Sequence, residues 1–129
     1  EAVREALHER MWEESGIIRD APSLARAAAT LRDLDAELER IGVGGADPAF
    51  NLAWHDWLNL KNLVLVSRAI VSAALARDNS LGAHYRADFP EAAPAAAERF
   101  TSVRLSGGEI EVAMGRVVYS RVRPGQTLV

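Results

Sequence analysis

The sequence predicts a mainly α-helical protein, an antiparallel three-helix bundle with up-down-up order, followed by an irregular loop and a small β-hairpin. Apolar residues recur every three or four positions through most of residues 1–77, which is the period of amphipathic helices. Cap and glycine signals divide this part into three helices with short connections. Later residues indicate a loop and two short strands. We therefore divide the chain into a bundle, residues 1–78, and an extension of the same domain, residues 79–129.

The first helix is predicted over residues 2–14. Val3, Leu7 and Met11 fall at i, i+4 and i+8 and form one apolar stripe. A glycine at position 16 then stops the helix, because glycine tolerates the left-handed conformation common just beyond a helix end. This helix is expected to turn one face to a core and the other to solvent.

The second helix has the clearest pattern in the chain. Asp20 is its predicted N-cap, and Pro22 lies in the first turn, where its missing N–H costs nothing. The apolar residues follow alternating steps of three and four, the heptad pattern of a helix packed lengthwise on others: Leu24, Ala27, Leu31, Leu34, Leu38 and Ile41. Burying the leucines and the isoleucine contributes on the order of 10 kcal/mol before ordering entropy is subtracted.

The third helix is the longest, predicted over residues 48–77 with Asp47 as its cap. Its middle, residues 63–66, is apolar on every side, so we expect neighbouring elements to cover most of it. Three long helices with short connections favour an up-down-up bundle, a layout like that of spectrin repeats.

Polar and aromatic residues of the third helix have structural interpretations. Trp54 and Trp57, together with Leu58, lie at helical spacing and are expected in the core or at a domain contact. Asn62 lies on or beside the apolar seam, so we expect a buried amide that hydrogen-bonds to a neighbouring loop.

The extension begins with an irregular stretch after the third helix. Residues 91–98 are alanine-rich and are predicted to hold a short helical turn. Residues 101–105 and 109–113 flank Ser-Gly-Gly at 106–108, which predicts a β-hairpin with a glycine turn. A further extended piece is predicted over residues 117–122.

Composition limits the classes of function. A net charge of −3 and a pI near 5.6 argue against nucleic acid as a partner, since such a partner needs a basic surface. The chain has no cysteine, hence no disulfide or thiolate site. No uninterrupted apolar run approaches the roughly 18 residues that cross a bilayer, so no spanning helix is expected.

Two weak signals suggest a metal or a nucleotide. Glu5 and His8 form an E-x-x-H pair, the spacing found in di-iron bundles, but such a site needs a second pair that the sequence lacks. The glycine-rich residues 42–45 follow a helix instead of a strand, so they predict a helix-terminating loop and no FAD or NAD fingerprint. A solvated helix face and a loop are the favoured interpretations.

Residues 82–90 combine several chemically active side chains in one loop. His84 could act as an acid–base group and Arg86 as an anion clamp. Alternatively, Arg86 and Asp88 staple the loop, and this interpretation is favoured because no nucleophile or second base is fixed near them by sequence.

This loop carries a resemblance to a known family. Residues 76–90, ARDNSLGAHYRADFP, resemble the A-R-x-E-S-R-G-A-H-x-R-x-D-F-P signature of the C-terminal helical domain of succinate dehydrogenase and fumarate reductase flavoprotein subunits. L-aspartate oxidase carries a related version. Residues 11–19 are similar to the family's M-W-x-x-x-G-I-x-R, and residues 58–63 to its L-x-L-R-N-M/L. The hairpin of residues 101–118 matches the strands that follow, so the resemblance covers nearly the whole chain.

The chain also departs from the signature. Asn79 and Leu81 stand where the common form has glutamate and arginine, which suggests a divergent paralogue. His84 and Arg86 match and favour the succinate/fumarate branch over the aspartate oxidase branch.

The resemblance implies a role as part of a larger oxidoreductase. In the family, FAD is held by an N-terminal Rossmann-like domain, and the parent protein moves a hydride between a C4-dicarboxylate and FAD within electron transport. This chain, which starts at Glu1 without an initiator methionine, is expected to be a fragment that holds no cofactor and catalyses nothing alone.

The resemblance also suggests partners and a docking site. The flavin domain of the same polypeptide is the expected partner, bound through a set of residues in one loop: Gly82, His84, Tyr85, Arg86 and Asp88. An iron–sulfur subunit is a further expected partner, with a cytoplasmic location on the inner face of the membrane. An apolar patch left by the missing domain is expected to make the fragment self-associate. The alternative is a free-standing helical module for protein–protein interaction.

Overall fold

The computed structural model describes residues 1–44, 49–91, 99–123 and 125–127. Three helices and four strands follow one another along the chain: α1 Ala2–Ser15, β1 Ile18–Arg19, α2 Ala21–Ile41, α3 Leu52–Leu75, β2 Tyr85–Arg86, β3 Arg99–Ser106 and β4 Glu109–Arg116. The central helix α2 packs against α1 and α3, and the β3–β4 hairpin lies on α3. The predicted fold class, three packed helices followed by a β-hairpin, is confirmed.

Side-chain caps fix where the long helices begin. Asp20 accepts a hydrogen bond from the Ser23 N–H at 2.8 Å, and the Ser23 hydroxyl accepts one from the Asp20 N–H, so the two form a capping box. Hydrogen bonds from Ser23 also lower the pKa of Asp20. Asn51 caps α3 by accepting from the Trp54 N–H at 3.1 Å. The predicted cap of α3, Asp47, lies outside the described residues.

The core lies along the seam between the helices. It contains ten buried apolar residues from all three helices: Val3, Leu7, Leu24, Ala27, Leu31, Leu38, Leu60, Val64, Val71 and Ala74. Ile41, predicted to continue the heptad seam, is instead 55% exposed. Ile41 is the last residue of α2, and Trp57 closes the core one turn earlier by donating from its indole N–H to the Leu38 carbonyl at 2.8 Å.

The middle of α3 is only half covered. Val64 is fully buried and Leu65 is half-buried, whereas Leu63 and Val66 are 43% and 55% exposed. The expectation that neighbours cover this segment is therefore wrong for the described part of this chain, because α1, α2 and the hairpin pack on one side of α3. Asn62 is exposed, so the prediction of a buried amide is also wrong.

Helix α3 has a second unusual property. It is long and apolar enough, by length and composition alone, to cross a membrane, contrary to the expectation that no segment qualifies. Core helices of soluble proteins pass the same test, but only 28% of this window is buried within the chain. Helix α3 is therefore more apolar than its own contacts require.

The hairpin pairs residue for residue around a two-residue turn. Ser106 pairs with Glu109, and the intervening Gly107 and Gly108 have φ of 59° and 86°. Positive φ at both positions is typical of the type I′ turn, which glycine adopts without strain. Residues 117–122, predicted to be extended, form no strand in the structure, and residues 92–98, predicted to hold a helical turn, lie outside the described part.

Candidate domain-docking site

The structure joins two distant segments at one end of the bundle. Strands β1 and β2 form a parallel pair in which Ile18 lies beside Tyr85 and Arg19 beside Arg86. The Ala87 N–H extends this pair by donating to the Arg19 carbonyl at 2.7 Å. We call residues 15–21 and 80–89 together the motif junction. It brings together the G-I-x-R and G-A-H-x-R-x-D-F-P segments, which the chain separates by most of α2 and α3.

Arg86 is the centre of the motif junction and is only 1% exposed. Its Nη1 donates to the carbonyls of Ala74 and Arg77 at 3.0 and 2.9 Å. The Ala74 carbonyl lies in the last turn of α3, where it also accepts from the Arg77 N–H at 3.3 Å, and the Arg77 carbonyl lies just beyond the helix. Its Nε and Nη2 bind the two carboxylate oxygens of Asp88 at 2.7 and 2.6 Å. Arg86 therefore caps α3 and forms a bidentate ion pair at the same time.

Asp88 and Ser80 extend this network to α2. Asp88 also accepts from the Ala21 N–H at 2.9 Å, at the first residue of α2. The buried Ser80 hydroxyl donates to the Phe89 carbonyl at 2.7 Å and accepts from the Arg86 N–H at 2.9 Å. Hydrogen bonding to Arg86 holds the pKa of Asp88 far below its ordinary value. The network thus ties the start of α2 to the end of α3.

His84 sits beside this network in a cationic setting. Its Nδ1 lies 3.2 Å from Nη1 of Arg19. A guanidinium can only donate, so Nδ1 is the acceptor and Nε2 carries the proton of the neutral ring. Burial, followed by the charges of Arg19, Arg77 and Arg86, lowers the pKa of His84. This setting therefore favours the neutral form of His84.

The outer rim of the motif junction is apolar. Leu81 and His84 exchange two backbone hydrogen bonds around a tight turn, in which Gly82 has φ of 59°. This turn presents Tyr85 at the surface with 40% of its area exposed. Exposed apolar side chains from both motif segments form the rim: Ile17, Ile18, Leu81, Tyr85 and Phe89.

The five predicted docking residues therefore lie in different settings. Gly82 and Tyr85 are exposed on the rim, and His84 is half-buried beneath it. Arg86 and Asp88 turn inward and staple the loop, the favoured interpretation of that pair. Their role in docking stays a prediction. Sequence reasoning missed Arg19 and Ser80, although both lie within the motif segments.

Unmatched buried polar atoms also gather at this end of the molecule. Four such atoms have no hydrogen-bond partner within the described part: Glu14 Oε2, Ser15 Oγ, Arg77 Nε and His84 Nε2. Glu14 and Ser15 end α1, and Arg77 follows α3. Because proteins pair the large majority of buried polar atoms, water or groups from outside the chain are expected to complete this end.

The described residues do not fit a metal or a flavin. No three His, Asp or Glu side chains among them converge as metal ligands, and both Glu5 and His8 are exposed on α1. The strands of the described ranges form two-stranded sheets, without the strand, glycine-rich turn and helix that cradle a pyrophosphate. A cavity between α2, α3 and β4 measures about 50 Å³, far below the roughly 300–1,000 Å³ of ligand pockets.

Comparisons with known proteins identify the family. Residues 4–128 match the family described as "Fumarate reductase flavoprotein C-term". The 8-methylmenaquinol:fumarate reductase flavoprotein subunit of Wolinella succinogenes is 33% identical over 68% of this chain and 14% of its own length. The fumarate reductase flavoprotein subunit of Mycobacterium tuberculosis is 31% identical over 96% of this chain and 21% of its own. A chloroplastic L-aspartate oxidase of Arabidopsis thaliana is 33% identical over 68% of this chain and 13% of its own.

A solved structure shows the same fold. The FrdA chain of Escherichia coli quinol fumarate reductase aligns with a TM-score of 0.87 at 20% identity, over 97% of this chain and 22% of that chain. The chain thus spans about one fifth of the length of these larger flavoprotein subunits. The chain belongs to the C-terminal domain family of fumarate reductase and succinate dehydrogenase flavoproteins, whose relatives include L-aspartate oxidases.

Proposed function

We propose that this chain is the C-terminal domain of an FAD-dependent oxidoreductase and packs against the FAD-binding domain of the same polypeptide through the motif junction. The parent protein moves a hydride between a C4-dicarboxylate and FAD, which supplies the redox chemistry when bound. This chain supplies structural support and no catalytic group. We also propose that the parent protein lies at the inner face of the membrane and contacts an iron–sulfur subunit.

The motif junction is the observation that carries the proposal. At its polar centre, Arg86 forms two hydrogen bonds with the Asp88 carboxylate, and this pair fixes the shape of the loop. Its rim is apolar and exposed, as at Ile18 and Tyr85. A rigid centre beneath an apolar rim suits a pre-formed protein contact, because little ordering entropy is lost on docking.

The unmatched polar atoms support the same direction of docking. His84 Nε2 and Ser15 Oγ lie at the end of the bundle that carries the rim. A protein domain that covers this end would shield these two atoms further from solvent. Hydrogen-bonding groups on the surface of that domain, or bridging water molecules, are therefore expected beside them. This chain aligns with only 22% of the Escherichia coli FrdA chain. A parent protein of that length would have room for the partner within the same polypeptide.

The experiment uses the full-length polypeptide with substitutions on two faces. Tyr85→Asp places a charge on the rim, and Ala36→Asp places the same charge on the exposed side of α2. We expect Tyr85→Asp to lower bound FAD and succinate-dependent dye reduction, with Ala36→Asp behaving like the unmodified protein. Equal FAD content and activity in both variants would count against docking through the rim.

The reading frame separates this proposal from a free-standing interaction module. A strand followed by G-x-G-x-x-G and a helix, several hundred residues before Glu1, is expected for the flavoprotein. An initiator methionine directly before Glu1 would support the free-standing module instead.

A further inference from the structure

Helix α3 carries a second surface that this chain leaves open. Its outer face is a stripe at helical spacing along the side of α3 away from α2: Asn59, Asn62, Leu63, Val66, Ile70 and Ala73. Leu63, Val66 and Ile70 are 43%, 55% and 44% exposed. The stripe spans 14 residue steps, or about 20 Å at 1.5 Å per residue.

The outer face of α3 has no formal charge. From Trp57 to Leu75 the only charged residues are Lys61 and Arg68, and both turn toward α2. Lys61 Nζ lies 2.8 Å from Asp35, and Arg68 Nη1 lies 2.6 Å from the same carboxylate. A helix face in contact with water normally carries charged and polar residues, so this face is built for contact with protein or lipid.

We infer that an apolar surface of the same polypeptide's FAD-binding domain covers the outer face of α3. This inference rests on the proposed function. The relatives are about five times longer than this chain, so most of the polypeptide is available as the covering part. The outer face also continues to Ala73, next to the Ala74 carbonyl that binds Arg86, so one partner can contact both the face and the motif junction. Asn59 and Asn62 supply hydrogen-bonding groups at the other end of the face.

Lipid is a less suitable occupant because α2 is charged along its exposed side. Among its exposed charged residues are Arg32, Asp33 and Glu39. A bundle inserted in a bilayer would have to bury these groups at high cost. The covering surface is therefore protein.

The test compares two engineered thiols in the full-length protein. The chain has no cysteine, so Val66→Cys on the outer face and Ala29→Cys on the exposed side of α2 each add one thiol to this domain. Both positions are exposed in this chain. We expect alkylation of the thiol at position 66 to be about tenfold slower than at position 29, measured by peptide mass spectrometry.

Each other outcome overturns the inference. Equal alkylation rates would show an open face, protection that rises with protein concentration would indicate a second copy, and protection only with phosphatidylglycerol vesicles would indicate lipid. Bound FAD is measured on the same samples. Absent FAD would contradict the proposed function, whereas equal rates in protein that retains FAD would overturn this inference alone.

Discussion

Helices α2 and α3 lie side by side but differ in what they show to the outside. The exposed and half-buried positions of α2 carry many charges: Arg26, Arg32, Asp33, Asp35, Glu37, Glu39 and Arg40. Helix α3 has no charge on its outer face and turns its two cations toward α2. Helix α2 thus has one buried apolar side and one charged exposed side, whereas α3 is apolar on both its buried and its exposed side. The proposed contact of α3 with the FAD-binding domain would account for this difference.

The largest predicted effect is on the free energy of unfolding, when a substitution breaks the link between α2 and α3 at the motif junction. Arg86→Ala removes the hydrogen bonds that Arg86 donates to Asp88 and to the carbonyls of Ala74 and Arg77. Loss of this buried side chain and of its hydrogen bonds to the backbone should lower the free energy of unfolding by about 3 kcal/mol. Urea denaturation of the 129-residue chain measures this loss.

A second arginine is the control for this variant. Arg104 pairs with Glu111 on the exposed side of the hairpin. Exposed pairs contribute about 0–1 kcal/mol, so Arg104→Ala should change the free energy of unfolding little. Equal losses in the two variants would contradict the central role of Arg86.

A matched pair of valines sharpens the contrast between the two sides of α3. Val64 is fully buried against α2, whereas Val66 is 55% exposed. Val64→Ala should lower the free energy of unfolding by about 2 kcal/mol, because it leaves a cavity. Val66→Ala should change it by less than about 0.5 kcal/mol in this chain. Similar losses from thermal or urea unfolding would mean that both sides of α3 are packed in this chain.

The smallest predicted effect concerns pH at His84. In the unfolded chain its pKa takes the ordinary value of about 6.5, whereas burial and neighbouring arginines lower it in the fold. Near pH 6.5 and just below it, the unfolded chain therefore binds more protons than the folded chain. The free energy of unfolding decreases as the pH falls from 7 toward 5.5. His84→Asn keeps an acceptor for Arg19 and should flatten this slope in urea titrations. An unchanged slope would contradict the assignment.

Patterns among neighbouring residues predicted the helical bundle, whereas contacts between distant segments could not be predicted from the sequence. The N-cap at Asp20 and the glycine turn of the hairpin depend on neighbours in sequence, so both could be predicted. The pairing of β1 with β2 could not, because strands of two residues carry no periodicity. The sequence did suggest the Arg86–Asp88 staple, since those residues are two apart.

The errors in α3 have one physical cause. Apolar residues such as Leu63 and Val66 predict burial, but no described element of this chain packs over them. Asn62 lies beside the apolar line of Leu58 and Leu65, whereas the residues of α3 in the core lie on another side of the helix: Leu60, Val64, Val71 and Ala74. The proposed contact with the FAD-binding domain would explain why this helix is predicted to be buried and is found exposed.

The most direct measurement of the central claim is the temperature at which the full-length protein releases its FAD, compared between two variants. Val66→Arg places a charge on the outer face of α3, and Ala29→Arg places it on the exposed side of α2. If the flavin domain covers α3, Val66→Arg should lower the release temperature by about 2–4 °C, with Ala29→Arg unchanged. In a protein about five times the length of this chain, that shift corresponds to the loss of about 3–5 kcal/mol that an unpaired buried charge costs. Equal release temperatures for both variants and the unmodified protein would contradict the account.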